Sequence, residues 1–194
     1  MSKIALSGNA SGTGTLTIAA PNTSTDRVLT LPDATGTLLT TATAGVPVNG
    51  PAFNAYAGSG QTVTTSVETK VQLNTEEFDT NGCFDSSTNY RFTPTVAGYY
   101  QVNGILRGSA SSTLSLIMVM LYKNGGLYFR GQENAYSLSG GGALQVTIST
   151  IVYLNGSTDY LELYGRIDGS GTCSFQASGS PYTSRMSAAL IRSA

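Results

Sequence analysis

The chain of 194 residues contains no histidine and no tryptophan. Without histidine it lacks the usual general base at neutral pH, a common metal ligand, and the usual partner of a nucleophilic serine or cysteine. Charged residues make up only 11% of the chain and the net charge is −1, which argues against a nucleic-acid-binding or anionic-membrane-binding surface. We therefore expect no enzyme, no cofactor, no nucleic acid partner and no membrane partner.

Long apolar runs and a cysteine framework are also missing. No apolar run approaches the ~20 residues of a membrane helix. The N-terminus carries Lys3 but no long apolar core, so we expect no signal peptide and synthesis in a cytosol. The two cysteines, Cys83 and Cys173, lie in loop-like segments rich in glycine and serine. We expect two free thiols, with a disulfide between loops as the alternative, and no zinc site, because structural zinc needs four ligands.

Threonine, valine, isoleucine and tyrosine, which favour strands, recur along the chain, and glycine and asparagine, which favour turns, separate them. This composition is typical of pleated strands joined by tight turns. The segment 123–126, Lys-Asn-Gly-Gly, predicts a hairpin, and Asn155-Gly156 predicts another turn. No helical periodicity of normal length is present, so the fold class predicted is all-β.

The sequence contains two regions that differ in amino-acid composition. Residues 1–47 are nearly free of aromatic side chains and read as short strands separated by turn signals. Such hairpins are marginally stable in water unless they pack on something, so we predict a β arm that docks on another surface. The side chains expected to make that contact are Leu16, Ile18, Arg27, Val28, Leu29, Leu31, Leu38 and Leu39.

Residues 48–194 are predicted to form the larger domain, where apolar residues alternate with polar ones. One stretch, 114–122, is apolar on both faces, which predicts a cover on both sides. A symmetric interface with further copies would supply the second cover. The predicted core residues are Tyr100, Val102, Leu106, Leu116, Met118, Val146, Ile148, Val152 and Leu190.

Several polar and aromatic residues are candidates for a site. Glu76 and Glu77 are adjacent, so on a strand they point to opposite faces and we expect solvated charges and not an acid/base pair. Asp79 and Asp85 flank Cys83; we expect Asx-turns, with calcium binding as the alternative. Five tyrosines are candidates for stacking on a glycan, and three arginines either form ion pairs across subunits or are solvated. These are Tyr99, Tyr128, Tyr136, Tyr153 and Tyr182, and Arg107, Arg130 and Arg166.

The stretch 75–106 has the order turn, Tyr-x-Phe, Pro, Gly, Tyr and strand. Together with the strand and turn at 121–125 and the hairpin at 154–161, it resembles the globular head of complement component one-q, a trimeric jelly roll related to tumour necrosis factor. The resemblance implies a β-sandwich of about eight to ten strands in two sheets, a homotrimer, and no catalysis.

Residues 8–40 are similar to segments of tailed-phage virion proteins, with matching pieces at 14–18, 25–27 and 30–33. The resemblance implies a structural virion protein. The preferred hypothesis is a capsid decoration or cement protein, assembled in the host cytoplasm and placed on the virion surface, with the arm docked on the major capsid protein or another virion protein and the head exposed. The alternative is a short tail fibre, spike or receptor-binding protein that recognises a host surface glycan.

Overall fold

The chain divides into two compact units, Met1–Leu38 and Leu39–Ala194. The computed structural model describes residues 50–177 and 184–194, and also 11–15, 17, 22, 24–26 and 28. The predicted boundary at residue 47 lies outside the described residues, as do all the predicted docking residues except Val28, which is 90% exposed. Every strand formed by the described residues lies in the second unit.

The described residues form thirteen strands and no helix, which confirms the all-β prediction. None of them therefore forms a helix that is long and apolar enough to cross a membrane. The strands, in chain order, are β1 (Ala52–Tyr56), β2 (Gln61–Val63), β3 (Thr69–Lys70), β4 (Thr75–Asp79), β5 (Phe84–Asp85), β6 (Arg91–Phe92), β7 (Gly98–Ala110), β8 (Thr113–Lys123), β9 (Gly126–Ser139), β10 (Gly142–Leu154), β11 (Leu161–Ser170), β12 (Cys173–Phe175) and β13 (Arg185–Ser193).

These strands pair antiparallel in two sheets. In the first sheet the order is β2-β12-β7-β13-β1-β4, and β10 pairs with the other edge of β7. In the second sheet the order is β5-β6-β11-β8-β9, and β3 pairs with β11. Strands β10 and β9 therefore end their sheets on the same side of the sandwich, where they contact each other.

The core lies between the two sheets. Tyr100 is fully buried on β7, and its hydroxyl donates to the carbonyl of Val96 at 2.6 Å, so its polar atom is satisfied. Phe53 stacks between Phe84 and Phe92, with ring centroids 4.5 and 4.6 Å away. Six of the predicted core residues lie in this core, and Leu190 packs against it while partly exposed. The six are Tyr100, Val102, Leu106, Val146, Ile148 and Val152.

The core predictions for Leu116 and Met118, both on strand β8, are wrong. The core face of this strand is formed by Ile117, Val119 and Leu121, whereas Leu116 is only partly buried and Met118 is buried outside the core cluster. Periodicity separates the two apolar faces of a strand but does not say which one meets the opposite sheet. In β8 the alternation is also interrupted, because the pairing with β9 shifts register between Leu114 and Leu116.

The predicted turn between β8 and β9 forms. Asn124 and Gly125 have φ of 55° and 77°, the left-handed conformation that a two-residue type I′ hairpin requires. The Asn124 side chain also ties this hairpin to the β10–β11 turn, donating to Asp159 Oδ1 at 2.8 Å and accepting from the Tyr160 N–H at 2.9 Å. The β8–β9 turn and the β10–β11 turn, both predicted from the sequence, are thus bonded to each other at one end of the sandwich.

The Phe53 stack predicts a large loss of stability on truncation. Phe53→Ala should lower the free energy of unfolding by about 3–5 kcal/mol, because it removes a fully buried ring and leaves a cavity between Phe84 and Phe92. Urea unfolding at one fixed chain concentration measures this. Val67→Ala, at a loop position that is 48% exposed, is the control and should change stability by less than about 0.5 kcal/mol. Equal effects of the two substitutions would contradict the assignment.

Candidate functional site

The outer face of the first sheet carries an uncovered group of large apolar side chains. Tyr99, Ile151, Tyr153 and Ile191, called here the apolar end, are between 42% and 52% exposed. They point outward because they alternate with buried neighbours such as Tyr100 and Val152. Tyr99 and Tyr153 are paired across β7 and β10, with ring centroids 5.5 Å apart. An open groove of about 490 Å³ lies here, lined by Tyr99, Ile151, Ile191 and the last three residues of the chain.

Next to the apolar end the same face carries a group of uncharged polar side chains. Gln101 Nε2 donates to Ser149 Oγ at 3.1 Å, and Ser149 Oγ donates to Asn103 Oδ1 at 2.9 Å. Asn54 on β1 is opposite Ser187 on β13, so amide and hydroxyl groups continue across the sheet. Gln101, Ser149 and Asn103 thus bond to one another across β7 and β10, which holds these three side chains in one arrangement.

Four strands of the first sheet carry only positive charges, whereas β4 at its edge carries Glu76, Glu77 and Asp79. Strands β1, β7, β10 and β13 contain no acidic residue, and their charged side chains are Arg107, Arg185 and Arg192. None of the three makes a salt bridge within the described residues. The Nε atom of Arg185 is buried and has no hydrogen-bond partner among them. Such an atom is costly, because a buried donor loses its water without replacement.

A second apolar surface lies at the neighbouring edge of the sandwich. Leu127, Tyr128 and Phe129, called here the edge segment, begin β9 and are 42–49% exposed. All three are exposed because the pairing of β8 with β9 shifts register between Leu121 and Tyr122, which inserts Tyr128 as an extra residue. An edge strand of this kind presents unpaired backbone groups as well as apolar side chains.

The outer face of the second sheet is closed by its own side chains. Met118 and Met120 are buried there, flanked across the sheet by Arg166 and Tyr164. The rings of Tyr122 and Tyr164 stack at 3.8 Å, and the Tyr122 hydroxyl donates to Glu68. Burial, together with this bond to Glu68, raises the pKa of Tyr122 to about 12. The second cover that the sequence predicted for β8 therefore comes from the same chain and not from a further copy.

The charged groups of this second face are paired, except Glu133, which lies opposite Met118. Lys70 Nζ lies 2.5 Å from the nearly buried carboxylate of Glu162. Arg166 binds Asp168 bidentately at 2.8 and 2.9 Å, and this raises the pKa of the Arg166 guanidinium and lowers that of the carboxyl. Arg130 lies 3.8 Å from Glu68. Two of the three arginines considered for contacts across subunits are thus held within the chain, and Arg107 is not.

The loop carboxylates form turns, as predicted. Asp79 accepts from the N–H of Asn81 at 3.3 Å and from that of Phe84 at 2.7 Å. Asp85 accepts from the N–H groups of Ser87, Thr88 and Asn89 at 2.9–3.1 Å. The Thr88 N–H contributes most to holding the pKa of Asp85 well below its usual range, followed by Ser87 and the Asn89 side chain.

The remaining candidates do not converge on a site. Cys83 and Cys173 are free and buried, which confirms the thiol prediction, although Cys173 lies in β12 and not in a loop. Glu76 and Glu77 are exposed, and Glu77 accepts from the Asn54 side chain at 2.8 Å. Among the described residues no group of three or more His, Cys, Asp or Glu could hold a metal ion.

Of the tyrosines proposed for stacking, Tyr99 and Tyr153 belong to the apolar end and Tyr128 to the edge segment. The Tyr136 side chain and Tyr182 lie outside the described residues. Sequence reasoning did not single out Ile151, Ile191, Leu127 and Phe129. A signal was present for Ile151, because an apolar residue at the outward position of a half-buried strand breaks the expected alternation.

No protein-family model and no curated protein sequence matches the chain. Solved structures do match. The globular domain of the zebrafish complement 1qA protein has 15% identity over 74% of this chain and 99% of its own, with a TM-score of 0.45. The Eiger TNF of S. frugiperda has 12% identity over 74% and 92%, and murine APRIL at pH 5.0 has 9% over 73% and 99%, each with a TM-score of 0.52. The last two establish the fold and confirm the predicted jelly-roll sandwich of the complement and tumour necrosis factor type.

The Asp85 turn predicts a pH-dependent contribution to stability. Because the folded-state pKa is lowered, the contribution is present above the unfolded-state value of about 4 and is lost as the pH falls below it. Asp85→Ala should lower the free energy of unfolding by about 1–3 kcal/mol at pH 7, with a smaller deficit at pH 3. Denaturant unfolding at both values measures this. Glu76→Ala, at an exposed residue of β4, is the control, and an Asp85→Ala deficit that is equal at pH 7 and pH 3 would contradict the prediction.

Proposed function

We propose that this chain is a non-catalytic structural protein whose jelly-roll head assembles with two further copies into a closed homotrimer. The observation that carries the proposal is the uncovered apolar end on the first sheet beside the uncovered edge segment of β9. Seven large apolar or aromatic side chains are exposed in these two surfaces, and contiguous patches of this kind mark interaction sites.

The two surfaces differ from each other, and this favours a particular type of assembly. A two-fold dimer uses one surface against itself, whereas two different surfaces pair head to tail and close into a ring. In such a ring, the edge segment of one copy covers the apolar end of the next. The number of three subunits comes from the resemblance of the sequence to complement-type heads.

The centre of the outer face is also suited to burial between copies. Gln101, Asn103 and Ser149 bond to one another, and these bonds are kept when water is removed. The cores of protein interfaces are depleted in charged residues, and the three charged side chains of these strands, Arg107, Arg185 and Arg192, lie outside this bonded group.

The proposed setting is the virion surface of a tailed phage. This part of the proposal is supported by the similarity of residues 8–40 to phage virion segments. The protein is a capsid decoration or cement protein, assembled in the host cytoplasm, whose arm docks on the capsid protein and whose trimeric head is exposed. The alternative is a tail spike or receptor-binding protein for a host glycan. Tyr99, Tyr128 and Tyr153 lie in surfaces assigned to assembly. In the alternative, the glycan would therefore bind to the outer loops.

Charge insertion at the apolar end tests the assembly. Ile151→Asp should raise the dissociation constant of the trimer by about tenfold or more, because it places an unpaired carboxylate in an apolar contact. Sedimentation equilibrium measures the effect, and circular dichroism checks the fold. Val67→Asp, at a residue of similar exposure in the loop between β2 and β3, should leave the trimer unchanged. A wild-type chain that is monomeric at micromolar concentration would overturn the proposal.

Removal of the arm separates assembly from docking. A chain lacking residues 1–47 should remain a folded trimer and lose binding to empty capsids, because the head supplies the assembly surfaces and the arm supplies the anchor. Cosedimentation with capsids measures binding. Full binding by the shortened chain would contradict the assignment of the arm. If the isolated trimer instead binds host cells and blocks adsorption, the receptor-binding alternative is correct.

A further inference from the structure

The position of each group along the sandwich defines which parts of two neighbouring copies meet. Tyr99 on β7 is opposite Tyr153 on β10, and Ile105 is opposite both Thr147 on β10 and Arg185 on β13. Tyr99 and Ile105 are six residues apart, which corresponds to about 20 Å along a strand. The apolar end and Arg185 therefore lie on the same outer face at two different positions along the strand direction, which are called heights here.

The neighbouring edge strand shows the same two heights. Lys123, which is opposite Gly126 at the start of β9, donates to the Tyr153 carbonyl at 2.8 Å, so the edge segment lies level with the apolar end. Six residues beyond Leu127, Glu133 follows Gln132, whose Oε1 accepts from the Thr147 N–H at 3.2 Å. Glu133 is therefore level with Thr147, and so with Arg185.

Glu133 and Arg185 are both without a close partner of opposite charge within the described residues. Glu133 is exposed opposite Met118 on the edge strand β9 and makes no hydrogen bond or salt bridge there. Its neighbour Arg166 is already bound bidentately by Asp168. The buried Nε atom of Arg185 has no acceptor among the described residues, and the two strands that pair with β13 there, β1 and β7, carry no carboxylate. One acid at the edge thus matches one base on the face.

We infer that Glu133 of one copy forms an ion pair with Arg185 of the next copy around the ring. The inference rests on the proposed trimer and names the contact that sets its register. In a ring whose symmetry axis is parallel to the strands, the rotation leaves the height of every group unchanged. The edge of one copy therefore meets the face of the next copy at equal heights. The edge segment then covers the apolar end, and Glu133 meets Arg185 at the other height. Opposite charges in such positions favour one orientation of docking over others.

A charge swap in the full chain tests this contact. Arg185→Glu and Glu133→Arg should each raise the concentration at which the trimer dissociates by about tenfold, since each places like charges together at three interfaces. The double variant Arg185→Glu/Glu133→Arg restores the pair in reversed order and should recover most of the loss. Sedimentation equilibrium at low salt provides the measurement, with circular dichroism to confirm that each variant is folded.

Arg192 provides the matched control. It lies on the same face, but it pairs with Tyr99 at the other height, about 20 Å from Arg185. Combining Arg192→Glu with Glu133→Arg should therefore give no recovery, and the two effects should add. The neutral variants Arg185→Gln and Glu133→Gln should each reduce the dependence of the trimer on salt concentration, which keeps the test valid if a charge reversal impairs folding.

The outcomes separate this inference from the proposed function. Recovery in the Arg185 double variant, and none in the Arg192 double variant, supports the ion pair. A stable trimer that is unaffected by the single changes, or is not rescued by the swap, overturns the ion pair while the trimer stands. A monomeric wild-type chain overturns the trimer and the ion pair together.

Discussion

The pairing of β7 on both of its edges positions almost everything else in the head. Along its thirteen residues β7 is bonded to β10 on one side and to β13 and β12 on the other. Its alternation places Tyr100, Val102 and Leu106 in the core, and the residues between them on the outer face of the first sheet. A slip of one residue would exchange these two sets, so the same register that builds the core also builds the candidate interface.

The two outer faces of the sandwich differ in how far their apolar side chains are covered by neighbouring side chains. On the second sheet, Met118 and Met120 are covered by the long side chains of their neighbours, and the charges there other than Glu133 are paired. On the first sheet, Ile151 and Ile191 have short or polar neighbours, such as Gln101 and Ala189, that leave them exposed. The first face is therefore the one suited to contact with another molecule, and the second is suited to remain in water.

The charge pattern of the head follows from its low charge content. With only 11% charged residues, the head carries few charges, and eight of them form four ion pairs within the described residues. Arg185 and Glu133 belong to different sheets and lie at one height. An uncharged, self-bonded centre, an apolar end and a single complementary pair would give a ring both stability and a defined register. This arrangement suits a structural component that must assemble in one way.

The alternation of β7 and β10, the Asn124-Gly125 turn and the Asp85 turn could all be predicted from local sequence, because each depends on neighbouring residues. The folded arrangement was needed to show that Ile117, Val119 and Leu121, and not Leu116 and Met118, face the core, since both faces of β8 are apolar. It was also needed to show that Glu133 and Arg185 are level, and that Ile151 and Ile191 share one surface. Relations between distant strands depend on register and on what covers each face, and no local pattern of residues encodes either.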